Sequence, residues 1–197
     1  MLKILRQKAK YFYFLFFIVI ITFVFYFGWD IAREAEPVYV AEVAGKKITK
    51  ERFWREYEET RRVYKEILKQ KENKEMENFI KNKVLEDLVN EEVIMWFAQK
   101  YKIEATEKEI QDAIVNDPRF KRDGVFQKEI YFQVLKLNRI TPAQYESYLK
   151  RQITLAKTLQ IILSAKDLSI PDDLFLKSFL NGIKSEISIK INRDVLT

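Results

Sequence analysis

Thr141–Leu163, TPAQYESYLKRQITLAKTLQIIL, is the stretch that decides the fold class. Its opening is a helix start: Thr141 can cap, Pro142 suits the first helical position, and Gln144 stands where its side chain can return to the cap backbone. Tyr145, Leu149, Ile153, Ala156, Leu159 and Leu163 then recur at helical spacing, with Tyr148, Leu155 and Ile162 widening the stripe. Such a broad stripe predicts a helix that packs on two sides.

Working toward the N-terminus, the next helix is expected over Gln127 to Leu137, presenting Ile130, Tyr131, Val134 and Leu135, with Asn138 as a left-handed stop. Thr106 and Glu109 have capping-box spacing for a helix to about Val115, which Asn116, Asp117 and Pro118 end and a loop follows. Met76, Ile80, Val84 and Leu88, broadened by Leu85, Val89, Val93, Trp96 and Phe97, read as the central core helix. A polar connection, Lys69 to Glu77, joins it to a helix capped by Thr49 and carrying Phe53, Tyr57, Tyr64 and Leu68 on one face.

Val38 to Val43 is rich in β-formers, and Gly45 with Lys46 can turn it back through Lys47 and Ile48 as a hairpin. Toward the C-terminus, Pro171, Asp172 and Asp173 open a last helix to about Leu180, with Gly182 as its end. Ile187, Ile189 and Ile191 then alternate with polar residues as a strand, whose expected partner is the hairpin. The pairing would make a small sheet and protect both edges.

Before all of this, Tyr11 to Trp29 carries no charge in 19 residues. At about 1.5 Å per residue it makes roughly 28 Å of helix, the thickness of a bilayer's hydrocarbon core. Tyr11 and Tyr13 at one end and Tyr26 and Trp29 at the other are expected at the two membrane interfaces, which amphipathic rings favour. The stretch is longer than the apolar core of a cleaved secretory signal, and Ile31 to Pro37 offers no clear small-x-small site, so a retained anchor is expected. Lys3, Arg6, Lys8 and Lys10 precede it without an acid, which by the positive-inside bias puts the N-terminus in the cytoplasm. The expected organisation is a cytoplasmic basic flank at 1–10, a transmembrane helix at 11–29, a juxtamembrane linker at 30–37 and one extracytoplasmic helical domain at 38–197.

The formal charge of +6 belongs largely to that flank: beyond residue 10, 31 of the 35 Lys and Arg face 29 acids, a net +2. Evenly mixed charge is not the basic stripe of a nucleic-acid footprint, so no nucleic acid is expected. With no Cys and no His, disulfides, thiolate chemistry and the commonest general base are excluded. The four glycines form no phosphate loop. No catalytic, metal-binding or cofactor-binding residue is assigned, and no cofactor is expected.

The order of motifs resembles a known family. The strand-turn Val40-Ala-Glu-Val-Ala-Gly-Lys-Lys-Ile-Thr49, with Leu88 to Glu92 and Ala98 on a later helix, is similar to the N-terminal chaperone domain of the SurA and PpiD family. So are Asn116-Asp117-Pro118-Arg119-Phe120 with Gly124, Phe126 and Tyr131, and Thr141-Pro142-Ala143-Gln144-Tyr145-Glu146 with Leu149, Arg151 and Gln152. The likeness runs over roughly residues 38–180. It implies an extracytoplasmic folding factor, a PpiD-like anchor in the bacterial inner membrane, and a holdase for unfolded or newly translocated polypeptides near the translocation machinery. Relatives often add a parvulin-type prolyl isomerase module, which would follow near residue 185. With about a dozen residues beyond that point, the module is expected to be missing and the protein not to be an enzyme. A second reading is an adaptor subunit of an inner-membrane complex that docks one dedicated partner.

Phe120, Gly124 and Phe126 are most simply structural, the glycine allowing a turn with positive φ and the rings pinning a loop. Adjacent helical residues point about 100° apart, so Glu91/Glu92 and Asp172/Asp173 are expected to be solvated or dipole-capping rather than catalytic. Client binding needs exposed apolar and aromatic surface, for which the candidates are Trp54, Tyr57, Trp96, Tyr131 and Tyr148.

Overall fold

The computed structural model describes residues 38–68, 73–167 and 169–196. The expected transmembrane helix at 11–29, with its flank and linker, lies outside them. Among the described residues, no helix is long and apolar enough to cross a membrane.

Strands β1 (Tyr39–Val43) and β2 (Lys46–Thr49) form the expected hairpin, turning through Ala44 and Gly45, both at positive φ (48° and 84°). Two consecutive left-handed residues make the turn whose twist matches the strands. Helix α1 (Lys50–Leu68) follows at once, its first turn capped by the Thr49 hydroxyl accepting from the Arg52 N–H at 3.3 Å. Next come α2 (Lys74–Lys100), capped by the Asn73 side chain, and α3 (Glu107–Asn116), opened by the Thr106–Glu109 capping box.

After Pro118, where a loop is expected, the chain makes a 3-10 turn (Pro118–Phe120) and a two-residue hairpin, β3 (Lys121–Arg122) with β4 (Val125–Phe126). Asp123 and Gly124, at φ 53° and 78°, form its turn. Helices α4 (Lys128–Leu137), α5 (Pro142–Ser164) and α6 (Asp172–Glu186) complete the helical part. The Thr141–Gln144 capping box opens α5 as expected. Strand β5 (Ile189–Ile191) returns to pair antiparallel with β1, giving the order β2-β1-β5. The pairing shields β1, whose Val40, Ala41 and Val43 are buried; β2 and β5 are left as edges carrying Lys46, Lys47 and Lys190.

Three local expectations are corrected. Asn138 is not the left-handed residue that ends α4: its φ is −86°, its amide donates to the Val134 carbonyl, and Arg139 takes φ 56°. Ile140 N–H then reaches the Leu135 carbonyl at 3.0 Å, closing a Schellman motif with arginine in the glycine position. Gly182 does not end α6, which continues to Glu186 because Ile183 is buried in the core one residue later. That burial outweighs a helix penalty of about 1 kcal/mol. On α5 the buried stripe runs through Thr154, Leu155, Thr158 and Ile162, while Ala156 is exposed. The two threonines can be buried because their hydroxyls are engaged: Thr158 Oγ1 donates to the Thr154 carbonyl at 2.7 Å, and Thr154 Oγ1 accepts from the Ala105 N–H at 3.0 Å.

Two apolar cores form among the described residues. The larger gathers the three-stranded sheet and α1, α2, α5 and α6 around Phe53, Ile80, Val93 and Leu155. The smaller holds Phe120, Tyr131, Leu135 and Tyr145 between the 3-10 turn, α4 and the first turns of α5. Helix α5 serves both, Tyr145 in one and Leu155 in the other.

Candidate functional site

The second half of α2, the β1–β2 turn and the middle of α5 enclose an open cleft of about 500 Å³. Each wall follows from local sequence. Ala98 is buried and Met95 and Trp96 half-buried on α2, the turn contributes Val43, Ala44 and Lys46, and α5 contributes Ser147, Lys150, Arg151 and Thr154. The volume suits a few apolar side chains of an extended polypeptide. Lys100 holds its ammonium 4.8 Å from the Trp96 ring centroid, so that the indole carries a cation-π contact on α2 itself.

The floor is ionic. Arg151 donates from Nε to Glu91 at 2.9 Å and from Nη2 to Glu92 at 2.8 Å. Arg52 on α1 pairs with Glu91 at 2.7 Å and hydrogen-bonds Glu92 as well. Glu92 is only 3% exposed, which corrects the expectation of a solvated carboxylate. A buried carboxylate is tolerated because two guanidiniums satisfy its lone pairs. The four side chains tie α1, α2 and α5 together beneath the cleft. Asp172 and Asp173, by contrast, are exposed in the first turn of α6, where Asp172 pairs with Lys166.

A second surface lies over the smaller core. Phe120 meets Tyr131 and Tyr145 edge-on, with centroids 5.0 and 5.6 Å away. Two exposed rings extend this cluster outward: Phe132, 47% exposed and 5.3 Å from Tyr131, and Tyr148, 57% exposed and 6.4 Å from Tyr145. Tyr145 donates to Asp117 at 3.2 Å and accepts from Arg119 at 3.1 Å. Hydrogen bonding to Arg119 holds the Asp117 carboxyl below its ordinary range, and burial pushes the Tyr145 and Tyr131 phenols up. The buried rings are thus a fixed base for the exposed pair.

The five aromatic candidates fall in three places. Trp54 is half-buried, with Lys81 5.5 Å from its centroid, and packs edge-on at 5.1 Å against Tyr57, which is buried. Trp96 lines the cleft. Tyr131 is buried in the smaller core, and Tyr148 projects from it. Sequence reading missed Phe132, Met95 and the ionic floor. The last had a signal: Glu92 follows Leu85, Leu88 and Val89 on the buried stripe of α2, where a charge implies a partner.

The arrangement offers binding surfaces. Among the described residues, no group of three or more carboxylates could hold a metal, and Glu91 and Glu92 are both committed to arginines. Residues 1–159 match the SurA-like N-terminal domain. The chain belongs to this family. Within the SurA-like family, it is similar to the periplasmic chaperone PpiD of Haemophilus influenzae, 24% identical over 59% of this chain and 20% of that protein. PpiD of Haemophilus ducreyi is 31% identical over 45% of the chain and 14% of the relative. The Buchnera aphidicola protein of the same name is 26% identical over 65% and 21%. The matches thus span about a fifth or less of the length of these curated relatives.

Proposed function

We propose that this SurA-like domain is a periplasm-facing chaperone that holds unfolded or newly translocated polypeptides, tethered to the inner membrane through residues 11–29. Support for the chaperone role comes from membership of the family and from relatives named periplasmic chaperones. The observation that carries it is the pair of exposed rings, Phe132 and Tyr148, seated on a buried aromatic base. Fixed aromatic surface binds apolar segments without demanding one sequence, and its ordering is already accounted for in the fold. Trp96, Trp54 and Tyr148 remain the accessible members of the candidate set, with Tyr57 and Tyr131 acting behind them.

In this reading residues 1–10 are the cytoplasmic flank, 11–29 the span, 30–37 the linker and 38–197 the periplasmic domain. Tethering raises the local concentration of holding surface where clients leave the translocation machinery. Photo-crosslinking from positions 148 and 132 in membranes tests this. Many extracytoplasmic clients are expected, whereas one stoichiometric partner would replace the chaperone with a dedicated adaptor.

A further inference from the structure

The cleft combines apolar walls with charged side chains. Its apolar walls, Val43, Met95, Trp96 and Ala98, can take a large apolar side chain, and its charges are unequally compensated. Glu92 and Arg151 satisfy each other and their neighbours at the floor. Lys150 and Glu104 at the mouth pair at 3.4 Å, 49% and 67% exposed, an arrangement that a competing ligand can separate at little cost. Lys46, exposed on the first residue of β2, has no carboxylate partner among the described residues. The uncompensated charge on the lining is therefore positive and sits beside apolar walls.

We infer that the cleft is a binding subsite for client segments in which a large apolar or aromatic residue adjoins a carboxylate, the ring entering against Met95 and Trp96 and the carboxylate meeting Lys46. This rests on the chaperone reading and names what that site prefers. Placing an acid on Lys46 gains Coulomb attraction next to low-dielectric walls, whereas a basic neighbour meets like charge. Aromatic side chains gain ring contact with the indole in either case, so the apolar residue sets binding and the charge sets preference.

The test uses the full 197-residue chain in zwitterionic lipid nanodiscs and three capped heptapeptides that differ at two central positions: Phe-Asp, Phe-Lys and Ser-Asp. Binding is read from Trp96 emission, with Trp96→Phe as the blank. Phe-Asp is expected to bind up to about fivefold tighter than Phe-Lys, the upper range for one exposed ion pair, and to lose that margin in high salt. Ser-Asp is expected to bind weakest. Lys46→Gln should abolish the preference and Lys46→Glu should reverse it; both change an exposed, unpaired side chain and should leave the unfolding midpoint in place. Equal affinity for Phe-Asp and Phe-Lys, or a preference that survives Lys46→Glu, overturns the inference. So does suppression of client aggregation without any response of Trp96, an outcome that leaves the chaperone reading standing.

Discussion

Arg151 on α5 donates to the buried Glu92 on α2 at 2.8 Å, and that contact joins the helix serving both cores to the one at the centre of the larger. Arg52 closes the same carboxylate from α1. Removing the carboxylate leaves the two guanidiniums with Glu91 as their one shared acid in this cluster, so Glu92→Ala is expected to lower stability by about 2–3 kcal/mol. That is below the range for fully buried pairs, because both arginines are about a quarter exposed. Asp87→Asn, which breaks the exposed Lys83 pair, should change stability by less than about 0.5 kcal/mol. Urea unfolding of the two variants makes the comparison.

The smaller core depends on one ring. Phe120 is 1% exposed and contacts both Tyr131 and Tyr145. Phe120→Ala is expected to cost about 3–4 kcal/mol. Hydrogen exchange should show the loss concentrated in α4 and the first turns of α5, with β1 and the centre of α2 still protected. Equal deprotection of both cores would contradict the division.

Glu109 supplies a pH signature. Its carboxylate accepts from the Thr106 backbone and from Lys157, which lowers its pKa from 4.5 to about 2. A depressed folded-state value means that its contribution is complete above the unfolded value of 4.5 and is lost as pH falls toward 2. Glu109→Gln keeps a capping side chain, as Gln144 does on α5, but removes the charge. The urea midpoints of parent and variant should therefore differ by a constant amount above about pH 5.5, one unit over the unfolded value, and converge near pH 2. A gap that persists at pH 2 would assign the difference to packing.

Arg139 occupies the left-handed position that ends α4. Arg139→Gly is expected to raise stability by about 0.5–1 kcal/mol. The same substitution at Asn138, where φ is negative and the amide caps the Val134 carbonyl, should lower it. Thermal unfolding reads both signs.

These sites also mark where the sequence was legible. Thr106 with Glu109 and Thr141 with Gln144 act across three residues, so their capping boxes could be read directly. The hairpin at Gly45 and the return of Ile189–Ile191 to it followed from alternation and from the need of β1 for a neighbour. Asn138 was a poor guide because two residues compete for the same stop and side-chain bonding decided it. The place of Glu92 on the buried stripe of α2 was legible but its partners were not, since they stand 40 and 59 residues away and only the fold brings them together. The exposed rings have the same limit: Phe132 and Tyr131 are adjacent in sequence, yet one is surface and the other core because α4 turns by about 100° between them.

Light scattering from a denatured client reads the holding of clients by the exposed rings. The 197-residue chain in nanodiscs, at severalfold excess over client, is expected to slow aggregation in proportion to its concentration. Phe132→Ala with Tyr148→Ala should remove most of that effect while lowering stability by about 1–3 kcal/mol, the loss of two ring contacts, with cooperative unfolding retained. No slowing at any excess over empty nanodiscs, or full slowing by the double variant, would contradict it.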